Sequence, residues 1–196
     1  MLQHKFNQAQ LNDFALCVIQ GEYMHIEQEI MKANQGQSEE EEAIDKNLLL
    51  QNVHLRISAI LPAFPLIEMD AIEAFFERGV NSVAPLVYHA VPATMNCKLT
   101  KAQMDDLFRC AFRAENLVTV TRIENEGGTV IPTSEIDEAD KGEVVVRKAM
   151  ELLYYTVERL RTIIPHFPAV HPNAVYDLCA SELNGTPFVY FDRDSG

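Results

Sequence analysis

Three residues in one stretch have the types and spacing of metal ligands: Glu22, His25 and Glu29. Offsets of three and four set them along one edge of a helix. In di-iron bundles a Glu-x-x-His motif supplies ligands from facing helices. A second helix must complete such a set, and the nearest candidate, Gln51-x-x-His54, offers an amide where a carboxylate is wanted. If the chain turns back near residue 36, His25 faces Asn47. His54 then lies roughly 10 Å further along the axis, at 1.5 Å per residue, so the two histidines do not share one ion. Chance alone supplies roughly 0.6 Glu-x-x-His pairs in a chain of this composition. The plainer reading is the polar flank of an apolar stripe.

Other reactive side chains have weaker settings. His166 and His171 frame a proline-rich loop and would join a zinc site only with acids or thiols from elsewhere. Cys97 falls in an expected loop before Thr100, with His89 eight residues upstream. A cysteine nucleophile needs a base in reach and a third group to orient it. Cys17, Cys97, Cys110 and Cys179 form no Cys-x-x-Cys pair, so they read as reduced thiols, mostly on apolar helix faces. The chain has no phosphate-binding glycine loop and no Gly-x-Ser-x-Gly elbow. These features weigh against an enzyme, and no cofactor is expected.

Charge is the strongest global signal. Acids outnumber bases 29 to 16 over 196 residues, a net charge of −13. Both halves of the chain carry the excess. A field of that sign repels nucleic-acid backbones and anionic membranes and attracts basic surfaces. Residues 99–132 have the order of a winged helix, with Lys101, Arg109 and Arg113 on the recognition helix. Asp105 and Asp106 interrupt them, and Glu124 and Glu126 would meet phosphate at the wing tip, so nucleic acid is a poor partner. Two acidic segments stand out, Glu39–Asp45 and Glu124–Glu143.

The elements that position these residues read as follows. Asn7 and Gln10 form a capping box for a first helix that runs out near Ala33-Asn34-Gln35-Gly36. Ser38 and Glu41 form another, opening a helix to Leu61, so residues 7–61 make an antiparallel hairpin. A short helix follows over 67–78 with Met69, Ile72 and Phe76 inward and Gly79 as its stop. Residues 81–93 are an irregular edge strand at most, because Pro85 and Pro92 exclude a central one. Thr100 and Gln103 cap a helix that buries Met104, Leu107, Phe108, Ala111 and Phe112. The period then changes: 117–124 alternates like a strand, 125–128 turns, and 129–132 returns as a β-hairpin. Asp140 and Glu143 cap a long helix to Ile164 with Val145, Ala149, Leu152, Thr156, Leu160 and Ile163 inward. A short helix near 173–183 and a strand at 188–191, pairing with the hairpin, complete the chain.

The expectation is a single domain over 1–196, of α+β class and predominantly α-helical: an antiparallel helical hairpin at 7–61, and over 62–196 further helices with a small antiparallel β-sheet. No apolar run approaches the ~20 residues of a membrane span, and the N-terminus lacks a secretory signal. A cytoplasmic protein is therefore expected. The leading functional reading is an interaction protein that binds a basic protein partner, as an inhibitor or neutralising protein would. Its contact residues are Glu39, Glu40, Glu41, Glu42, Glu135, Asp137, Glu138 and Asp140. The alternative is a small metal-dependent or hydrolytic enzyme using Glu22, His25 and Glu29. Homodimerisation through a helical face is compatible with either.

Overall fold

A computed structural model describes residues 1–34, 43–82, 93–128, 138–171 and 190–191. The order of elements is β1 (Leu2–Asn7), α1 (Gln8–Ala33), α2 (Lys46–Ile60), α3 (Met69–Arg78), β2 (Thr94–Leu99), α4 (Lys101–Asn125), α5 (Glu138–Ile163), β3 (Ala169–Val170) and β4 (Tyr190–Phe191). The protein is predominantly helical α+β, with α1 and α2 forming the expected hairpin.

Helix α1 begins as the sequence predicts. The Asn7 Oδ1 accepts the Gln10 amide at 2.9 Å, and the Gln10 Oε1 accepts the Asn7 amide at 3.0 Å. Two of the four orphan donors of the first turn are thereby satisfied. The helix ends where Asn34 N–H reaches the Ile30 carbonyl. Its buried residues include Leu11, Phe14, Ala15, Val18, Ile19 and Ile26. Phe14 packs between Phe6 of β1 and Phe64, with ring centroids 6.1 and 5.5 Å away.

The second helix starts later than the Ser38 cap implies. Asp45 is its N-cap, accepting the Asn47 amide at 2.8 Å, and residues 43–45 ahead of it are not helical. A carboxylate that captures an amide of the first turn fixes extended backbone at its own position, so the helix ending at Ile60 cannot extend back through it. Ser38 and Glu41 lie outside the described residues, as does Gly36. Helix α3 stops at Gly79, whose φ of 89° is left-handed. Its inward face is Ala71, Ile72, Ala74 and Phe75; Met69 and Phe76 are half-buried beside it.

The largest correction concerns residues 117–125. They continue α4 and form no strand of a hairpin; residues 129–132 lie outside the described set. Leu107, Ala111, Ala114 and Leu117 form a buried stripe at helical spacing, and Cys110 is buried beside it. Packing of that stripe against α1 and α5 overrides the β preference of Val118, Thr119 and Val120, which is weak and context-dependent. Gly127, read as part of a hairpin turn, instead ends the helix. At φ 76° it donates to the Glu124 carbonyl, and Gly128 donates to that of Ile123. The winged-helix reading loses its wing.

Helix α5 includes Asp140, so the cap lies earlier than expected. Of its predicted inward face, Ala149, Thr156, Leu160 and Ile163 are buried; Leu153 is buried where Leu152 is only half so, and the Val145 side chain is outside the described set. Pro165 follows the last turn.

Two short antiparallel pairs complete the fold. β1 pairs with β2 in register from Leu2↔Leu99 to Asn7↔Thr94. Cys97 therefore sits on a strand opposite His4 and not in a loop. β4 pairs with β3, Val170↔Tyr190, rather than with a hairpin. Residues 83–92, which hold most of the expected edge strand at 81–93, lie outside the described set, as does the expected helix at 173–183; β2 follows just beyond the former. No helix among the described residues is long and apolar enough to cross a membrane.

Candidate functional site

Three consecutive residues at the middle of α1, Gln20, Gly21 and Glu22, are all buried. Such a run on an otherwise apolar helix means that α1 is enclosed on several sides. Gly21 faces α4 so closely that an added Cβ would stand 2.7 Å from the Cys110 carbonyl oxygen. Gln20 and Glu22 flank that contact, and each anchors a separate polar cluster.

Glu22 is 2% exposed. Its Oε1 accepts from Arg56 Nε of α2 at 2.8 Å, and the Cys110 thiol lies 4.0 Å away. Arg56 also approaches Asp106 of α4 at 3.9 Å, and Asp106 pairs with Arg109 at 3.4 Å. One turn further on α4 is Arg113, itself buried. Beside this cluster an open groove of about 310 Å³ is lined by Glu22, His25, Asn52, Leu55, Arg56 and Ala59. The Glu22–Arg56 pairing sets the hairpin register. His25 shares the groove with Asn52, not with the Asn47 region that a turn at residue 36 implies. Burial lowers the His25 pKa, and the Arg113 charge lowers it further, against the pull of Glu22 and Glu29.

The three sequence-predicted ligands are thus assigned separate tasks. Glu22 is engaged by Arg56, while Glu29 is exposed and pairs with Lys32 at 3.4 Å. His54 donates to the Ile67 carbonyl at 2.7 Å. Among the described residues no three His, Cys, Asp or Glu side chains are grouped to hold a metal. His166 lies 3.0 Å from the Gln3 carbonyl and 5.1 Å, ring to ring, from His4. Of the acidic contact residues, Glu138 and Asp140 fall in the first turns of α5. Glu39, Glu40, Glu41, Glu42, Glu135 and Asp137 lie outside the described residues, as does His89.

The second cluster went unread in the sequence. Gln20 donates to the Val80 carbonyl and accepts from Arg159 of α5, which also donates to Glu115 of α4 at 3.0 Å. Burial raises the Asp13 carboxyl beside it, with Arg159 opposing. The available signal was a glutamine, a glycine and a glutamate in tandem inside an apolar helix, and an arginine next to the buried Leu160.

The three thiols among the described residues, Cys17, Cys97 and Cys110, have settings that make poor nucleophiles. Burial pushes Cys17 up to about 11 and Cys110 well above its ordinary value; it also raises half-buried Cys97, with a backbone hydrogen bond from His4 opposing. Thiolate is the reactive form. A disulfide-exchange reagent at about pH 8 is therefore expected to modify Cys97 slowly in the native protein. Cys17 and Cys110 should react only as fast as the protein unfolds. Mass mapping of the labelled peptides checks this, and fast labelling of Cys17 or Cys110 would contradict their burial.

No family model, no curated protein and no solved structure matches this chain. What defines it is its own fold: a helical α+β protein in which one central helix separates two buried ionic clusters.

Proposed function

We propose that this is a non-enzymatic, cytoplasmic interaction protein whose acidic surface engages a basic protein partner. The observation that carries the reading is the net charge of −13. Several of the 16 bases are moreover turned to internal use: Arg56, Arg109 and Arg159 each hold a carboxylate between helices or along one. An excess of acid steers encounter with a cationic surface and sets partner choice more than it adds affinity. Neutralisation of a basic protein fits this physics.

The contact set is Glu39 to Glu42 together with Glu135, Asp137, Glu138 and Asp140. Immobilised protein is challenged with lysate of its native host, then eluted with rising salt. A partner of high isoelectric point should elute as salt screens the charges. Changing either acidic group to amides should weaken capture by about tenfold, or about 1.4 kcal/mol. If both amide variants hold the same partner unchanged at low salt, the reading is wrong.

A further inference from the structure

The acids that dominate the chain leave several stretches empty. Residues 1–12, 78–104 and 159–176 contain no aspartate or glutamate. The fold brings described parts of all three to one place. β1 lies in the first stretch and pairs with β2 of the second. His166 of the third donates to the Gln3 carbonyl at 3.0 Å, and its ring is 5.1 Å from that of His4. Strand register sets Gln3 opposite Lys98 and Lys5 opposite Asn96. Side chains alternate across a strand. These four therefore share the exposed face of the ribbon, while Phe6, Met95 and Leu99 turn to the core.

Lys5 and Lys98 stand at diagonal corners of that face. Diagonal neighbours on an antiparallel pair are roughly 7–8 Å apart, a span that two lysine stems can close on one tetrahedral group. Neither lysine has a carboxylate partner among the described residues. An open groove of about 630 Å³ is lined by both lysines, by Gln3 and Asn96, and by the half-buried His4 and Cys97. That volume fits a small organic ligand. Two ammonium groups thus line the groove, and no carboxylate does among the described residues. The amides of Gln3 and Asn96 add donors between the charges. His4 is a latent third cation. Gln10 Oε1 accepts from the Asn7 amide, so His4 Nε2, 3.2 Å from the same oxygen, is the donor, and Nδ1 is left to take a proton. The net charge of −13 limits the size of the partner. A polyanionic surface would span the acidic remainder and be repelled. A small anion lies within a Debye length, roughly 8 Å at physiological salt, of the ribbon's own charges, and more distant acids are screened.

We propose that the β1–β2 ribbon binds a phosphate group, free or carried by a small molecule, with Lys5 and Lys98 against its charge and Gln3 and Asn96 donating to its oxygens. A planar carboxylate of single charge needs only one cation. Two separated ammoniums and two amides match a tetrahedral group of nearly double charge, which lysine binds as a point charge. His4 reports on occupancy. Burial and the neighbouring His166 hold its ring below the ordinary pKa, with Gln10 opposing. A bound dianion raises it. The ribbon shares no residue with the acidic contact set, so failure of either reading leaves the other standing.

The test titrates the full chain at constant ionic strength with inorganic phosphate in one arm and glycerol phosphate, a monoester, in the other. NMR follows the His4 ring and the backbone amides of Lys5 and Lys98. Binding in the millimolar range or tighter in at least one arm, with an upward shift of the His4 pKa, is the expected result. The tighter arm tells whether the group comes free or as an ester. Lys5→Gln and Lys98→Gln change exposed positions and should fold as the parent does. Each should bind about threefold more weakly, and the double variant at least about tenfold. Lys148→Gln is the control: it removes an exposed charge on α5 roughly 22 Å before Ile163, at 1.5 Å per residue, and should bind as the parent does. A His4 ring that ignores both phosphates overturns the proposal. So does a double variant that binds like the parent, or a Lys148→Gln protein that loses as much as Lys5→Gln and Lys98→Gln do.

Discussion

Replacing Arg159 with alanine is expected to lower the unfolding free energy by about 3–5 kcal/mol in urea denaturation, the usual cost of removing one partner from a buried charge cluster. Arg159 is the only link through which α5 reaches both Gln20 of α1 and Glu115 of α4 in the hydrogen bonds among the described residues. Its side chain and that of Glu115 are each 15% exposed, and Gln20 is fully enclosed. Without the guanidinium, Glu115 has lost its ion-pair partner in a largely dry setting and the Gln20 carbonyl has lost its donor. The Gln20 amide still reaches Val80, so the loss falls on the α5 side of the cluster.

Burial decides the magnitude, and a neighbour on the same helix shows it. Arg161 pairs with Glu158 at 3.3 Å, but Glu158 is half exposed. Exposed pairs contribute about 0–1 kcal/mol, so Arg161→Ala should barely register. Equal losses for the two variants would mean that the Arg159 cluster does not bind α5 to the rest. The pH dependence has a definite sign. A carboxyl raised above its unfolded value of 3.8, as Asp13 is, contributes stability that is full below that value and is lost as pH rises through the folded one. Arg159 opposes the rise at Asp13. Removing it widens the shift, so the Asp13 share of the deficit should shrink as pH falls toward the unfolded value.

Local chemistry in the sequence was a good guide to two helix starts, a poor one to the starts of α2 and α5, and a poor one to pairings. The Asn7–Gln10 and Thr100–Gln103 boxes appear as spelled, because each is a contest among a few neighbouring atoms. Period alone misled at 117–124, where alternating β-branched residues sit on a helix already committed by the stripe ending at Leu117. The same signal, applied elsewhere, would have found β1 and β2. Leu2, His4 and Phe6 alternate with Gln3, Lys5 and Asn7, and Met95, Cys97 and Leu99 with Asn96 and Lys98, but each run is only six residues long. The candidate site was half legible. Glu22 and His25 do line one groove, as their spacing implies. Arg56, which lines it and holds Glu22, comes from another helix, and no spacing within one element announces a partner on another.

The close approach at Gly21 carries the second large effect. Alanine there gains up to about 1 kcal/mol of helix propensity over glycine, and on an exposed helix it would stabilise. Here the new methyl would stand 2.7 Å from the Cys110 carbonyl oxygen and 3.1 Å from its Cα. Both are backbone atoms of α4, so no side chain can swing aside, and the two helices must separate. Overpacking of this kind costs about 1–3 kcal/mol, occasionally more. Gly21→Ala should therefore be net destabilising by about 1–2 kcal/mol, and Gly21→Val, with two more carbons and poorer propensity, by about 3 kcal/mol or beyond. Separation of α1 from α4 also moves both clusters that flank the glycine. The distances from Arg159 to Glu115 and from Arg56 to Asp106 depend on α4 staying in place. Gly21→Ala and Arg159→Ala should consequently combine to less than the sum of their separate losses, since each weakens contacts the other needs. Urea midpoints for the two single variants and the double variant measure that shortfall. Strict additivity, or a Gly21→Ala protein as stable as the parent, would show that α4 does not lean on α1 at this residue.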